Sequence, residues 1–256
     1  MNTKKNKASY KQNFLDKVVL RLDFEQIELK NLSSFSTKIK GDFPFQEQKD
    51  AIKGKLEFDL KKNSVQNDTS SVKVWEFLSA TRKKKLTISG DFIIIEYGDR
   101  SYKDKNELMK DCDTVIRDFV GTFDITTINR LGLRYINRVD LNFIKTNFNW
   151  SDYIAENLLG AVKFGGKTKK MISRAMTQLD LKYDEADLRF RYGIWNQDHP
   201  NENTRKEFIL DYDCFSRFPL SSEDVIAETV RNYNVFIQDL FEMSIKPELR
   251  KLMSKK

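Results

Sequence analysis

One histidine and two cysteines are all that this 256-residue chain offers in imidazole and thiol chemistry. The histidine, His199, sits in the polar stretch "NQDHPNEN". A single imidazole there argues against histidine-based triads and poly-histidine metal sites, and is expected to be solvated. Cys112 falls in a helical pattern and Cys214 after a predicted strand, with no C-x-x-C spacing. That excludes a disulfide framework and a thiolate zinc site, and leaves two buried free thiols as the expectation. There is no run of about 18 apolar residues, and the opening "MNTKKNKASYKQNF" has lysines without an apolar segment behind them. The expectation is a cytoplasmic protein with no membrane association.

A phosphate-binding loop is also missing. "GGKT" at 165–168 matches the end of the pattern G-x-x-x-x-G-K-[ST], but Ala161 stands where the first glycine belongs and Gly160 is one residue out of register. The segment before it has a helical rather than a strand pattern, so a flexible basic loop is the expected structure.

What the chain does have is a core and a charged surface: 39% hydrophobic residues, 19 of them phenylalanine, and 32% charged residues. This is the composition of a folded protein with a packed interior. The net charge of +7 is unevenly spread. Residues 1–13 carry Lys4, Lys5, Lys7 and Lys11 with no acid, and residues 246–256 carry five bases against Glu248, so each tail contributes +4 and the body about −1. A nearly neutral body is a weak nucleic-acid signature. The tails are expected to be mobile, dispensable for folding, and limited to weak, salt-sensitive contacts with polyanions.

Strands dominate the pattern. "KVVLRLDF" at 17–24 alternates, as does "KLEFDL" at 55–60, and residues 72–98 spell three consecutive strands joined by turns at Arg82–Lys85 and Gly90-Asp91. Leu108, Cys112, Val115, Ile116 and Phe119 then recur at helical spacing. The second half predicts a helix from Trp150 to Leu159, a loop with two glycines, strands at 175–183, 187–195 and 205–213, and a final helix. That helix begins at Ser221 with Asp224 three residues on, and has a buried stripe of Ile226, Val230, Tyr233, Ile237 and Leu240. Strands in blocks followed by helices specify an α+β fold, with mainly antiparallel sheet and helices packed on one face. The similar endings "IIEY" at 94–97 and "ILDY" at 209–212, each followed by a helix, suggest a duplicated sheet-then-helix unit. The expected division is a basic tail (1–13), an N-terminal half (14–145), a C-terminal half (146–245) that joins the first or stands apart, and a second basic tail (246–256).

The parity of these strands sorts charge onto one face. Leu179, Leu181 and Tyr183, then Leu188, Phe190, Tyr192 and Ile194, then Phe208, Leu210 and Tyr212 are expected to face the helices. Gln178, Asp180 and Lys182, Arg189 and Arg191, and Glu207 and Asp211 share the opposite face, and the strand "NRLGLRYINRVDL" at 129–141 adds Arg130, Arg134 and Arg138. Two readings follow. The charges can be cross-strand pairs that solvate an open sheet face, each contributing about 0.2 to 1 kcal/mol. Alternatively the sheet curls and Arg130, Arg134, Arg138, Arg189 and Arg191 form a clamp for an anionic ligand, since the guanidinium fork matches phosphate or carboxylate. Arg134, central in its strand, is expected to be the least solvated of its three arginines and to be held by a carboxylate from a neighbouring strand.

"RLGLRYIN", Arg130 to Asn137, resembles the hallmark R-[IL]-G-L-R-Y-x-N of a sporadically distributed, functionally uncharacterised family of bacterial proteins of about this length. "NFLDKVVLRLDF" is similar to that family's opening strand, although Phe14 and Asp16 replace the usual proline and glutamate. The resemblance implies a cytoplasmic bacterial protein with an accessory or defence role, and supplies no catalytic residues.

The function expected from these observations is a non-enzymatic binding or interaction protein that needs no cofactor and meets a protein partner or anionic ligand through its charged face. The alternative is a metal-dependent phosphohydrolase of the tunnel type, with the arginines on a triphosphate and Asp180, Glu207 and Asp211 on Mg²⁺. Its E-x-E-x-K signature is absent: "LDFEQIELK" has Glu28 and Lys30 but Gln26 in the first position. A weak nucleic-acid binder is the remaining alternative.

Overall fold

Nine strands hydrogen-bond into one antiparallel sheet in the order β2-β3-β4-β5-β1-β6-β9-β8-β7, with the helices interspersed in an α+β arrangement. The computed structural model describes residues 10–59, 64–168, 172–184, 186–201, 203–216, 219–220 and 223–254. The strands are β1 (Leu15–Phe24), β2 (Phe45–Asp59), β3 (Ser64–Leu78), β4 (Lys84–Ile88), β5 (Phe92–Tyr97), β6 (Ile128–Asp140), β7 (Ala175–Lys182), β8 (Ala186–Ile194) and β9 (Glu207–Ser216). The helices are α1 (Leu32–Ile39), α2 (Lys105–Asp111), α3 (Arg117–Thr122), α4 (Gly160–Thr168), α5 (Glu223–Ser244) and α6 (Pro247–Ser254).

The connectivity repeats. A strand (β1), a helix and a meander (β2 to β5) whose last member returns beside the first strand are followed by α2; then β6, α4 and a second meander (β7 to β9), whose last member returns beside β6, are followed by α5. "IIEY" and "ILDY" fall in the two returning strands, β5 and β9, and their tyrosines, Tyr97 and Tyr212, are both buried. The expected sheet-then-helix repeat is therefore visible in the strand order.

The chain divides into two compact units that do not coincide with halves of the sequence. One comprises Met1–Val18, Leu133–Phe215 and Arg231–Lys256, and the other Val19–Gly132 and Ser216–Val230. The break expected near residue 145 falls inside the first unit. In the second unit, Leu20, Leu22 and Phe24 of β1 alternate inward, and Phe35 of α1 meets Phe77, Phe119 and Phe123 edge-on or tilted. Leu108, Cys112, Val115, Ile116 and Phe119 are all buried, as their spacing predicts; the run from α2 to α3 passes through a π turn at Cys112–Ile116. Asp104 caps α2 by accepting from the backbone N–H groups of Asn106 and Glu107. In the first unit, Phe190 stacks on Tyr212 at 4.7 Å, and Val139, Leu188, Leu210, Tyr233 and Ile237 fill the space between strands and α5.

Several expectations change. Trp150 to Leu159 is not an α-helix but two 3₁₀ turns, Trp150–Asp152 and Glu156–Leu158, separated by a bridge from Ile154 to Ile245. Trp150, Ile154 and Leu158 are buried at a spacing of four, which imitates a helical stripe. The helix lies next door in α4, where a loop is expected; its glycines carry low helix propensity and hide it. "GGKT" thus ends a helix. The long β2–β3 hairpin and α1 exceed the short strand expected at 55–60. Cys214 lies within β9 rather than after a strand, and both thiols are free and buried.

The C-terminal tail is not mobile. It forms α6 with Leu249 and Met253 fully buried, and the Gln12 N–H donates to the Met253 carbonyl at 3.0 Å, tying in the described end of the N-terminal segment. Tyr10 donates to Glu242 at 2.6 Å as well. Residues 1–9 and the proposed cap at Ser221 lie outside the described residues. Of the predicted α5 stripe, Leu240 is half-buried and the other four are buried. No helix among the described residues is long and apolar enough to cross a membrane.

Candidate functional site

Alternation in β6 sends Leu131, Leu133, Tyr135, Asn137 and Val139 inward, and Arg134 and Arg138 to the opposite face of the first unit's strands. There Arg134 grips Asp211 of β9 through two parallel bonds, Nε to Oδ1 at 2.8 Å and a terminal nitrogen to Oδ2 at 2.7 Å. This is the bidentate geometry a guanidinium makes best. Arg191 of β8 donates to the same Oδ2 at 3.2 Å and, through Nε, to Gln178 of β7 at 3.0 Å. Gln178 donates to Asp180 at 3.2 Å, and Asp180 accepts from Arg189 at 2.9 Å. The result is one uninterrupted chain of hydrogen bonds, Arg134, Asp211, Arg191, Gln178, Asp180, Arg189, that crosses four neighbouring strands. Register explains it: Gln178 lies directly opposite Arg191, and Asp180 opposite Arg189.

The electrostatics follow the pairing. The bond to Asp211 raises the Arg134 pKa, and the bond from Arg189 holds Asp180 below the usual carboxylate range. Burial acts against the charge on Arg138, but its 2.6 Å pairing with Asp16 outweighs it and raises the pKa. Arg130 belongs to the second unit, where it lies 3.7 Å from Asp23, a carboxylate also held by two nitrogens of Arg21. Arg21 in turn covers the ring of Phe92 at 4.9 Å.

The solvation expected for Arg134 is the reverse of what the structure contains. Its side chain is 39% exposed, against 33% for Arg138 and 35% for Arg130. What sets Arg134 apart is the acid it holds: the side chain of Asp211 is 6% exposed, whereas those of Asp16 and Asp23 are 31% and 25% exposed. The edge strand also departs from expectation. Leu179 lies on the apolar side but is 41% exposed, because β7 has a neighbour on one flank only; Tyr183, just beyond it, is covered by stacking on Phe236 at 4.3 Å.

The five arginines of the proposed clamp thus divide, four in one unit and Arg130 in the other, and each has a carboxylate beside it. Asp180, Glu207 and Asp211 do not converge on a metal site: Asp180 and Asp211 are separated along the chain by Arg191 and Gln178, and Glu207 lies 3.7 Å from Arg205. Among the described residues no three His, Cys, Asp or Glu side chains are grouped to hold an ion. His199 is exposed, 3.2 Å from the Ser173 hydroxyl, which donates to the Asn201 carbonyl and so has no proton directed at the imidazole.

The polar residues of "RLGLRYIN" all have identifiable work. Asn234 of α5 donates to the Tyr135 hydroxyl at 2.7 Å, Asn137 donates to the Leu210 carbonyl at 3.3 Å, and the Leu131 N–H donates to the Ser216 hydroxyl at 2.9 Å. Gly132 leaves room for Arg130, whose guanidinium would lie 2.9 Å from any Cβ there. Asn137 was detectable as a polar residue on the apolar parity of β6, but Ser216 and Asn234 carry no comparable signal. Nor does the buried group in the second unit, where Asp111 accepts from the Tyr97 hydroxyl and pairs with Lys84 at 2.5 Å, a setting that raises the Tyr97 pKa through burial and then through Asp111.

Fold and site together define an α+β protein with an ordered ion-pair lattice on an open strand face. No protein-family model matches the chain, and no curated protein matches it.

Proposed function

We propose that the chain is a non-enzymatic binding protein of the bacterial accessory or defence type that its central motif suggests, and that it meets a protein partner through the charged face of β6, β9, β8 and β7. The observation that supports this is the hydrogen-bond chain from Arg134 to Arg189, which fixes guanidinium planes in place while leaving them partly exposed. Arginine ordered in advance loses little entropy on binding and is enriched at interface hot spots. Because each arginine already has a carboxylate beside it, the face is a mosaic of both signs. A partner surface of complementary mosaic matches it better than a phosphate, which would have to displace Asp211 and Asp180. The two buried free thiols fit a reducing cytoplasm. No cofactor is required for this role, and the basic segments add weak, salt-sensitive attraction to polyanions.

Adjacent residues of β7 provide the test. Met176 shares the charged face with Gln178 and Asp180, Thr177 points to the other face, and both are exposed. A photoreactive residue placed at 176 in the host cell should cross-link one discrete protein, one at 177 should not, and Arg189→Glu should abolish the product. Equal cross-linking from both positions, or a product insensitive to Arg189→Glu, overturns the reading.

A further inference from the structure

β7 ends the sheet, and its free flank is uncovered: Met176, Thr177, Gln178, Leu179, Asp180 and Lys182 are all exposed. An open edge of this kind invites another strand, and proteins that stay monomeric usually guard it with a charge that has no complement. The guard here is of a different kind. Asp180 and Lys182 share the charged face, have opposite signs, and flank Leu181 symmetrically.

We infer that β7 pairs with β7 of a second copy, antiparallel and centred on Leu181, joining two nine-stranded sheets edge to edge. In that register Asp180 of each copy lies opposite Lys182 of the other, so two ion pairs form. Leu181 meets its own counterpart, and Leu179, 41% exposed, lies opposite Tyr183 of the second copy. A twofold axis perpendicular to the sheet keeps both helix-covered faces on one side, so apolar meets apolar and charge meets charge. Other registers fail on charge. Centring on Asp180 or on Lys182 places like charges opposite each other, centring on Leu179 leaves Asp180 against Gln178, and centring on Gln178 sets Lys182 against Arg174. The occupant that complements this edge is therefore the edge itself. The Arg189 bond to Asp180 lies on the inner flank, and Asp180 remains 59% exposed towards the outer one.

A ladder this short buries well under the ~1,200 Å² of a standard interface, so the dimer forms and dissociates with a Kd on the order of 10 µM to 1 mM. Sedimentation velocity of the full chain, up to about 1 mM, should show conversion from a 30.2 kDa species to one of twice that mass. Lys182→Asp and Asp180→Lys each set like charges opposite one another twice and should weaken self-association at least ~10-fold. Mixing the two variants restores both attractive pairs, so a heterodimer should appear with wild-type affinity. Circular dichroism of each variant separates loss of pairing from loss of fold; if Asp180→Lys disturbs the strand, Lys182→Asp alone and wild type still decide the matter. A wild-type chain that stays monomeric throughout, a Lys182→Asp variant that dimerises unchanged, or folded variants that do not associate on mixing would overturn the proposal.

Discussion

Arg134 of β6 and Asp211 of β9 are joined by two parallel hydrogen bonds of 2.8 and 2.7 Å, and the acid is far more deeply buried than the base. The asymmetry matters energetically. A half-exposed arginine that loses its partner is rehydrated, whereas a buried aspartate that loses its cation is not. Arg191 stands in reserve, 3.2 Å from the same carboxylate.

Removing the two arginines should therefore be strongly non-additive. Arg134→Ala is expected to cost about 2 kcal/mol and Arg191→Ala about 1, while the double variant should cost at least about 1 kcal/mol more than their sum, because Asp211 then lacks both cations. Arg138→Ala, whose partner Asp16 is itself partly solvated, should cost under about 1 kcal/mol. Denaturant unfolding of the four variants measures this; additive losses would show that Asp211 does not depend on the pair.

In the second unit, burial raises the pKa of Glu76, but bonds from Lys49 at 2.5 Å and Lys85 at 3.3 Å outweigh it and hold the carboxyl below its ordinary value of 4.5. As pH falls, the unfolded chain takes up this proton before the folded one does. The stabilisation is present above pH 4.5 and drains away below it, towards the folded-state pKa. Glu76→Gln should be less stable than wild type at pH 7, with the gap narrowing on acidification below that point. A gap that is constant with pH contradicts the assignment.

Burial, reinforced by Asp213 and Asp187, pushes the Cys214 thiol up to about 12. A thiol that stays protonated and shielded is a poor nucleophile. Both cysteines should resist a thiol-specific reagent at pH 8 in the native protein and react once it unfolds; rapid native labelling would show that one of them is accessible.

The last helix should carry stability. Leu249 is fully buried, so Leu249→Ala is expected to cost about 2 to 4 kcal/mol. Exposed Lys251→Ala should fall within about 0.5 kcal/mol of wild type. Thermal melting that leaves Leu249→Ala unchanged would mean that α6 does not dock as described.

Period-two alternation made the strands legible, and with them the facing of Arg134, Arg189, Arg191, Asp180 and Asp211, because parity depends on local sequence alone. Position within the sheet does not. That β7 is an edge, and that Leu179 is left half uncovered on its apolar side, follows from strand order set by distant pairing. Helices were misplaced where propensity and packing disagree: glycines conceal α4, and the lysine-rich α6 resembles a solvated tail until Leu249 and Met253 are seen to dock. Ser216 and Asn234 act on β6 from 85 and 99 residues away, a relation that no short window contains.

Whether the arginines are committed to the lattice or available to grip phosphate is tested most directly by thermal melting with tripolyphosphate and Mg²⁺. A ligand present at 100 times its Kd stabilises the folded state by about 2.7 kcal/mol, several degrees for a chain of this size. The ion-pair lattice predicts no shift beyond about 1 °C at millimolar ligand. A rise of several degrees that disappears in Arg134→Ala would contradict it and establish an anion clamp on this face.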